Sequence, residues 1–564
     1  MRAVEGRQIP GRRWLVQLVG IGLSAGFILV WARLAMLHLF ASSELREALH
    51  GQAYVSVLSL PQRGRIVDCR GETIAESVQG VSYGVDPAMV RCAECLCRRV
   101  QEVLAIPEAE CLERIATAKG RFFWLRRGIW GKETLGLDTL SEPGLVRLRE
   151  RVRVYPHGDL FLPAVGSVGV DQQGLSGLEL VYDSVLRKNP EPIVMRRDAR
   201  GYLSPQVEHV LESGRRPPTL RTTLDGELQS IVAYELSEGV RRVKAASGLA
   251  LAIEPSTGAV RAMVVVPTPP RGSAHAPIVS DVYEPGSILK PLIAAAALEQ
   301  GLLRLSDTLF GHHGVWDGDG YRIVDEHPLG YTTLREALAW SSNVIFAKVA
   351  QGLSPRLLYR YIRDFGCGLP TGIELPGEAP GIVPKPHQFQ PLTALFWGFG
   401  YGLAVTPLQL ACAYAAIAND GVLMRPYLVE AVLDPDGTKL QKFSPQPVRR
   451  VLTVPVAQQL RQLLRSVVEE GTGRPAYLAG IAVAGKTGTA QQLVGGQYSR
   501  EHHTASFVAL FPADRPRLVL LVMLLRPQGG GSGGHTAAPV VRRILQRMMA
   551  HPRLSWYVAP NGTA

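Results

Sequence analysis

Three short motifs, in one order, constrain this chain more tightly than any other feature of its 564 residues: Ser-Ile-Leu-Lys at 287–290, Ser-Ser-Asn at 341–343 and Lys-Thr-Gly-Thr at 486–489. A neutral Ser hydroxyl is a poor nucleophile and needs an adjacent base. Residues three apart on a helix share a face, which puts Lys290 beside Ser287. Lys acts as a base only when deprotonated, a state favoured by burial and by a neighbouring cation such as Lys486. Ser341 offers a hydroxyl that relays a proton to a leaving amine, and Asn343 an amide that orients Lys290 and a substrate carbonyl. The backbone N–H groups of Ser287 and Thr489 are candidates for an oxyanion hole. Gly488 would let substrate backbone approach a strand edge, where Lys486, Thr487 and Thr489 suit a terminal carboxylate. Each motif alone also fits a plainer role, Ser287 and Ser341-Ser342-Asn343 as helix caps and Lys-Thr-Gly-Thr as a turn. Their joint occurrence points to serine acyl transfer.

The patterning around the motifs predicts an α/β fold. Asp225 to Val243 reads as a capped helix, and SGLALAIEP and GAVRAMVVV as two strands joined through Ser256-Thr257-Gly258. Ser287 follows Pro285-Gly286 at the head of the apolar helix SILKPLIAAAALEQG, and helical patterns cover 333–350 and 407–420. IAVAGKTGT, HTASFVALFP and RLVLLVMLL read as successive strands, and APVVRRILQRMM as a closing helix. The expected core is an antiparallel sheet flanked by helices and assembled from both ends of the domain, with an all-helical middle. Residues 41–219 are irregular α+β, with strand-like YVSVLSL and GRIVD, helical patterns at 92–104 and 144–151, and a linker-like SGRRPP at 213–218. The chain thus divides into an N-terminal stretch (1–13), an apolar span with a juxtamembrane stretch (14–40), the α+β region (41–219), the α/β domain (220–552) and a tail (553–564).

Trp14 to Ala32 carries no formal charge and follows Arg2, Arg7, Arg12 and Arg13. The run is long enough to cross a bilayer and longer than the roughly 7–15 apolar residues of a cleavable signal. Arg33 and amphipathic Leu34 to Phe40 follow without a clean cleavage site. The expectation is an uncleaved, single-pass signal anchor with a cytoplasmic N-terminus and the bulk of the chain outside. A net charge of +12 without a basic stripe interleaved with aromatics argues against nucleic acid as a partner and suits proximity to anionic lipid and polymer.

Five of the seven cysteines come early, as Cys69, Cys92, Cys95, Cys97 and Cys111. The Cys92/Cys95/Cys97 cluster has no nearby His or further ligand for a metal. It reads first as small buried side chains of a helix, with a disulfide as the alternative in an oxidising compartment. Cys412 reads as core. His502, His503, Asp281 and Glu284 read as solvated loop residues, and His535 as a residue near a Gly-rich loop.

With these residues in place the chain resembles the class B penicillin-binding proteins, the monofunctional peptidoglycan D,D-transpeptidases. Arg63-Gly64-Arg65-Ile66-Val67-Asp68 with Gly71-Glu72-Thr73-Ile74-Ala75 is similar to the family's first pedestal motif, and Gly174–Glu179 with Tyr182, Asp183 and Leu186 to a second. Tyr283-Glu284-Pro285-Gly286-Ser287 through Lys290-Pro291, Phe399-Gly400-Tyr401-Gly402 and Thr406-Pro407-Leu408-Gln409 fit the catalytic half. Cys69, where the family often has Arg, and Ile288, in place of Thr or Val, depart from it.

The resemblance implies that Ser287, activated by Lys290, attacks the D-Ala-D-Ala amide of a stem peptide. A neighbouring stem's amine then resolves the acyl-enzyme, Ser341 and Asn343 handle protons and orientation, and Lys486 and Thr487 hold the carboxylate. It implies β-lactams as inhibitors, no cofactor and no metal, a pedestal that is dimerisation-like, and membrane partners of the divisome including an FtsW-like glycosyltransferase. The phrases favour the division-type (FtsI-like) branch over the elongation-type branch. A serine β-lactamase and a non-catalytic β-lactam sensor or scaffold are the readings from other classes.

Overall fold

Helix α1 (Arg13–Leu39) runs 27 residues and carries an exposed apolar stretch from Trp14 to Met36. At 1.5 Å per residue it is about 40 Å long, enough to cross a bilayer. The helix continues unbroken from the span into the juxtamembrane stretch as far as Leu39. The structure, a computed structural model, describes residues 13–39, 54–58, 62–118, 122–131, 136–137, 140–187, 192–197, 203–205, 217–273, 275–318, 320–529 and 531–558. Most of the SGRRPP tract lies outside the described residues. Residues 1–60 with 190–215 form one compact unit, and 61–189 with 216–564 the other. Within the first, strands Tyr54–Leu58, Pro192–Arg197 and Leu203–Pro205 make a small antiparallel sheet.

In the second unit, β1 (Thr73–Val85) pairs antiparallel with β2 (Phe123–Ile129) on one side and β3 (Leu145–Val154) on the other. The last of these overturns the helix expected at 144–151. In LVRLRERVRV the arginines at 147, 149, 151 and 153 recur every second residue, which is strand periodicity. Helices α2 (Ala93–Leu104) and α3 (Glu108–Thr117) cover this sheet, with Leu96, Val100 and Leu104 against Val81, Tyr83 and Leu125. The cysteines are paired rather than simply buried: Cys92, the N-cap of α2, joins Cys95, and Cys97 joins Cys111 across the two helices.

Two of the family-like stretches meet at a buried ion cluster. Glu179 accepts from Arg63 at 2.6 Å and from Arg153 at 2.7 Å, and all three side chains are at most 1% exposed. The same sheet does not stop at the pedestal. Ile66 pairs in parallel with Leu220, and Thr219–Thr222 pairs with Val429–Leu433, so one set of strands runs from residue 66 into the second half of the chain.

The second half is organised by side-chain alternation. After α4 (Gly226–Arg242), capped by Asp225, come β4 (Ser247–Ile253) and β5 (Val260–Val266), then α5 (Lys290–Glu299), α6 (Asn343–Gly352), α7 (Pro407–Ala418) and α8 (Val454–Glu469). Strands β6 (Ala484–Val494), β7 (Gln497–Phe511) and β8 (Leu518–Leu525) and helix α9 (Gly533–Ala550) close the chain. The sheet order is β5-β4-β8-β7-β6, antiparallel throughout, with β6 on the edge. Leu249, Leu251, Ile253, Val519 and Leu521 face α5, α7 and α8, while Ala250, Ala252, Leu520 and Val522 face α4 and α9. A period of two places successive residues in opposite cores. The middle is not all helical. Small hairpins such as Val315–Gly318 with Tyr321–Val324 are inserted between the helices.

The ion cluster gives a stability prediction. Glu179→Ala leaves two guanidinium groups buried without their shared carboxylate and is expected to cost about 3–5 kcal/mol, seen as a lowered thermal midpoint, whereas exposed Glu102→Ala should change it little.

Candidate active site

Ser287 does not begin a regular helix. Gly286–Leu289 is a 3-10 turn, and the α-helix starts at Lys290. Pro291 lacks the N–H that would bond the Ser287 carbonyl in α geometry, so Lys290 N–H takes it instead across the tighter turn. Several bonds fix the turn from outside. Gly286 N–H donates to Gly400 O at 2.9 Å, and Tyr283 exchanges both backbone bonds with Val405 at 3.0 and 2.9 Å. Tyr414 Oη donates to Ile288 O at 2.7 Å. At Gly400, φ is +89° and an added Cβ would fall 1.9 Å from Gly286 O, so only glycine fits.

Ser341 and Ser342 divide the work that the sequence left undecided between cap and site. Ser342 is the N-cap of α6, its Oγ accepting from Ile345 N–H at 3.1 Å. Ser341 stands between two helices at a φ of +57°, a left-handed conformation costing a non-glycine residue roughly 1–2 kcal/mol. That kink turns its hydroxyl toward the lysines. Ser341 Oγ accepts from Lys290 Nζ at 3.2 Å and from Lys486 Nζ at 2.9 Å. Lys290 Nζ also donates to Ser341 O at 2.5 Å and Asn343 Oδ1 at 2.7 Å. Among the described residues it makes no hydrogen bond to Ser287 Oγ.

Asp325, which sequence reasoning missed, holds this corner. It is 7% exposed, and its carboxylate accepts from Ser342 Oγ at 2.5 Å, Asn343 N–H and Val344 N–H. A carboxylate is favoured at a helix N-terminus, but nothing in the run DEHPLG signals a cap for a helix eighteen residues on.

Both lysines are fully buried. Burial pushes the Lys290 amine down to about 7, against the opposing pull of Asp325 and Glu326. Burial, with Lys290 as the neighbouring charge, holds Lys486 well below the ordinary lysine range. The repulsion between the two amines is mutual, each disfavouring a charge on the other. Lys486 Nζ donates to Thr487 O at 3.0 Å and lies behind the strand, so Thr487 and Thr489, not Lys486, line the open pocket.

That pocket has a volume of about 270 Å³ and is lined by Tyr321, Phe396, Phe399, Tyr401 and Tyr498, with Ser287 and Ser341 in its wall. Thr472 and Ser532 add hydroxyls that were not anticipated, Thr472 Oγ1 lying 2.8 Å from Thr487 Oγ1. Gly471-Thr472-Gly473 was a readable signal: an added Cβ at Gly471 would meet Ala339 O at 2.1 Å. The room beside Gly488 is not left for substrate, because Ile288 and Ser506 Oγ would lie 2.5 and 2.6 Å from its Cβ. Glu284 is no solvated charge. Its Oε1 accepts from Gly402 N–H at 2.7 Å and from Tyr498 Oη at 3.1 Å, and burial raises its pKa. Asp281 is exposed, pairing with His275. His503 is buried in β7, its Nε2 3.0 Å from Gly531 O, His502 lies beside Ser499, and exposed His535 bonds Ser532.

A nucleophile turn, a kinked helix start and an edge strand that converge on one serine hydroxyl define a serine–lysine site on an antiparallel sheet. Residues 248–546 match the penicillin binding protein transpeptidase domain, and 58–216 the penicillin-binding protein dimerisation domain. The stage V sporulation protein D of Bacillus subtilis (strain 168) is 32% identical over 504 residues, covering 86% of this chain and 78% of that protein. The peptidoglycan D,D-transpeptidase FtsI of Escherichia coli (strain K12) is 31% identical over 500 residues, covering 86% and 82%. Penicillin binding protein 3 of Mycobacterium tuberculosis, solved with aztreonam, superposes with a TM-score of 0.68 at 28% identity, covering 89% of this chain and 98% of that one. The chain belongs to the penicillin-binding protein transpeptidase family, and its two matched regions are those of a class B member.

Gly400→Ala is expected to displace the nucleophile turn and lower the rate of penicillin labelling by at least about tenfold, a 1.4 kcal/mol effect or more, with the fold retained by circular dichroism.

Proposed function

We propose that the protein is a peptidoglycan D,D-transpeptidase that cross-links stem peptides through an acyl-enzyme on Ser287, the hydroxyl that β-lactams also acylate. The observation that carries the reading is the pair of buried lysines sharing Ser341 Oγ beside the Ser287 pocket.

Two ammonium ions this close in a dry site repel, so the pair holds one proton more readily than two. Asp325 and Glu326 favour that proton on Lys290 in the empty site. A substrate carboxylate arriving at Thr487 and Thr489 is met by their hydroxyls. Lys290, which loses its proton to solvent as pH rises through about 7, is then the base. It takes the Ser287 proton as Oγ adds to the penultimate D-Ala carbonyl. The developing oxyanion faces the N–H groups of Ser287 and Thr489. Ser341, which can donate one proton while accepting two bonds, passes a proton to the leaving D-Ala amine. An acceptor amine from a second stem peptide then adds to the acyl carbon and expels Ser287. Asn343 keeps Lys290 in place through Oδ1 and the carbonyl of the donor through its amide. No cofactor enters this scheme.

The 31% identity to a protein named FtsI supports a division-type role, and the arginines before α1 support a cytoplasmic N-terminus with the catalytic domain outside the inner membrane. In that role an FtsW-like glycosyltransferase and other divisome membrane proteins are the expected partners, and the dimerisation-like pedestal and α1 the surfaces that meet them. A functional fluorescent fusion collecting at the septum supports division, and one spread along the lateral wall replaces it with elongation.

Fluorescent penicillin should give a stable covalent band on the wild type and none on Ser287→Ala. A band that turns over within minutes would identify a β-lactamase instead. Lys290→Ala should slow acylation by about 10²–10⁴-fold. Because the neutral amine is the active form, the acylation rate should rise with pH through about 7, falling about tenfold per unit below it. A rate flat between pH 5 and 8 (roughly a unit or more either side of neutrality) overturns the assignment of Lys290 as base.

A further inference from the structure

The two helices that bear the catalytic residues at their starts share a second feature farther along. Ala297 of α5 and Ile345 and Val349 of α6, with Leu303 and Leu309 from the connection between them, line an apolar cavity of about 250 Å³. Its one charged lining residue is Lys348, which none of the chemistry above uses. Lys348 Nζ donates to Phe310 O at 2.9 Å and to His312 Nε2 at 3.2 Å, between the rings of Phe310 and Trp316, each 6.0 Å away. An ammonium has three N–H donors, so one is left over. Partial burial lowers the Lys348 pKa, and no described carboxylate acts on it. His312, its pKa also lowered, by burial and then by Lys348, supplies a neutral acceptor and no second cation.

We propose that this cavity binds a monocarboxylate with a compact apolar body, its carboxylate taken by Lys348, and that its occupancy changes the rate of acylation at Ser287. Charge decides the occupant. A neutral body would leave the third N–H and the charge of a partly buried ammonium without a counterion, and a dianion would bring one negative charge too many for a single cation. The coupling follows from continuity. Lys348 lies on the helix that begins at Asn343, and Ala297 on the helix that begins at Lys290, so one ligand touches both rods that aim the catalytic amine and amide. This second part rests on Ser287 being the acylated residue, and the first does not.

The probe is phenylbutyrate, with phenylbutanol as its uncharged equivalent, titrated against the full-length protein in phosphatidylcholine nanodiscs by saturation-transfer NMR, with empty nanodiscs subtracted. Two variants remove the site by different means. Lys348→Met deletes the charge. Gly352→Trp closes the cavity mouth from a position where an added Cβ meets nothing within 4 Å. Phenylbutyrate should bind the wild type at least tenfold more tightly than either variant, and tenfold more tightly than phenylbutanol binds. At saturation it should change the rate of fluorescent-penicillin acylation at least twofold in the wild type and not in Gly352→Trp. Equal binding to wild type and both variants, or equal binding of the alcohol, overturns the site. Tight, variant-sensitive binding with an unchanged acylation rate overturns the coupling. A protein that binds phenylbutyrate but takes up no penicillin overturns the acyl-transfer reading and leaves the cavity assignment standing.

Discussion

Everything at the centre of this protein depends on burying two lysine amines against one serine hydroxyl. An ammonium in a dry interior is costly unless matched, and two side by side are more so. The chain meets that cost with neutral dipoles more than with charges: Ser341 O and Oγ, Asn343 Oδ1 and Thr487 O receive the N–H groups. The carboxylates, Asp325 and Glu326, accept no hydrogen bond from either amine, and Asp325 also bonds the start of α6. The outcome is an amine poised near neutrality in place of a salt bridge locked far from it.

The surrounding fold follows from the need to hold that pair still. The nucleophile turn is fixed by Gly400 and Val405 from the loop before α7 and by Tyr414 from α7 itself, and Ser341 is held in a strained backbone between two helix ends. Such positions persist only where the neighbours over-determine them. The sheet beneath is apolar on both faces, with Leu251 and Leu521 on one side and Ala250 and Val522 on the other, which gives the edge strand a rigid backing.

Much of this was legible from residues alone. Strands that read as continuous apolar runs, such as RLVLLVMLL, and helices with a marked start, such as the one after Asp225, lie where the pattern put them. Ser287, Ser341 and Asn343 line one pocket, and the amines of Lys290 and Lys486 meet at the Ser341 hydroxyl. What was not legible depends on partners distant in sequence. Asp325 is an unremarkable loop acid until α6 is placed over it, and the pairing of Cys97 with Cys111 needs two helices to be brought together. The strand at 145–154 was readable from its arginines, but the usual link between apolar alternation and strands hid it, because here the alternating residues are charged. Ser341 and Ser342 could not be told apart until a backbone angle separated cap from site.

The position of β6 at the end of its sheet has a further consequence. A bare strand edge is a template on which another extended chain can add, and proteins ordinarily blunt it. Here the edge has to stay open beside Ser287, so the blunting is partial and local. The nucleophile turn presses on it at Gly286, whose added Cβ would come within 2.9 Å of Thr489 O, and Tyr401 Oη caps the N–H of Gln491 at 3.0 Å. Ala484 to Gly488 are buried and Thr489 is exposed, so only a short length of edge is open beside Ser287. The same few residues that admit an extended peptide are too few to nucleate a growing sheet, and removing Tyr401 would lengthen the exposed template as well as widen the entrance.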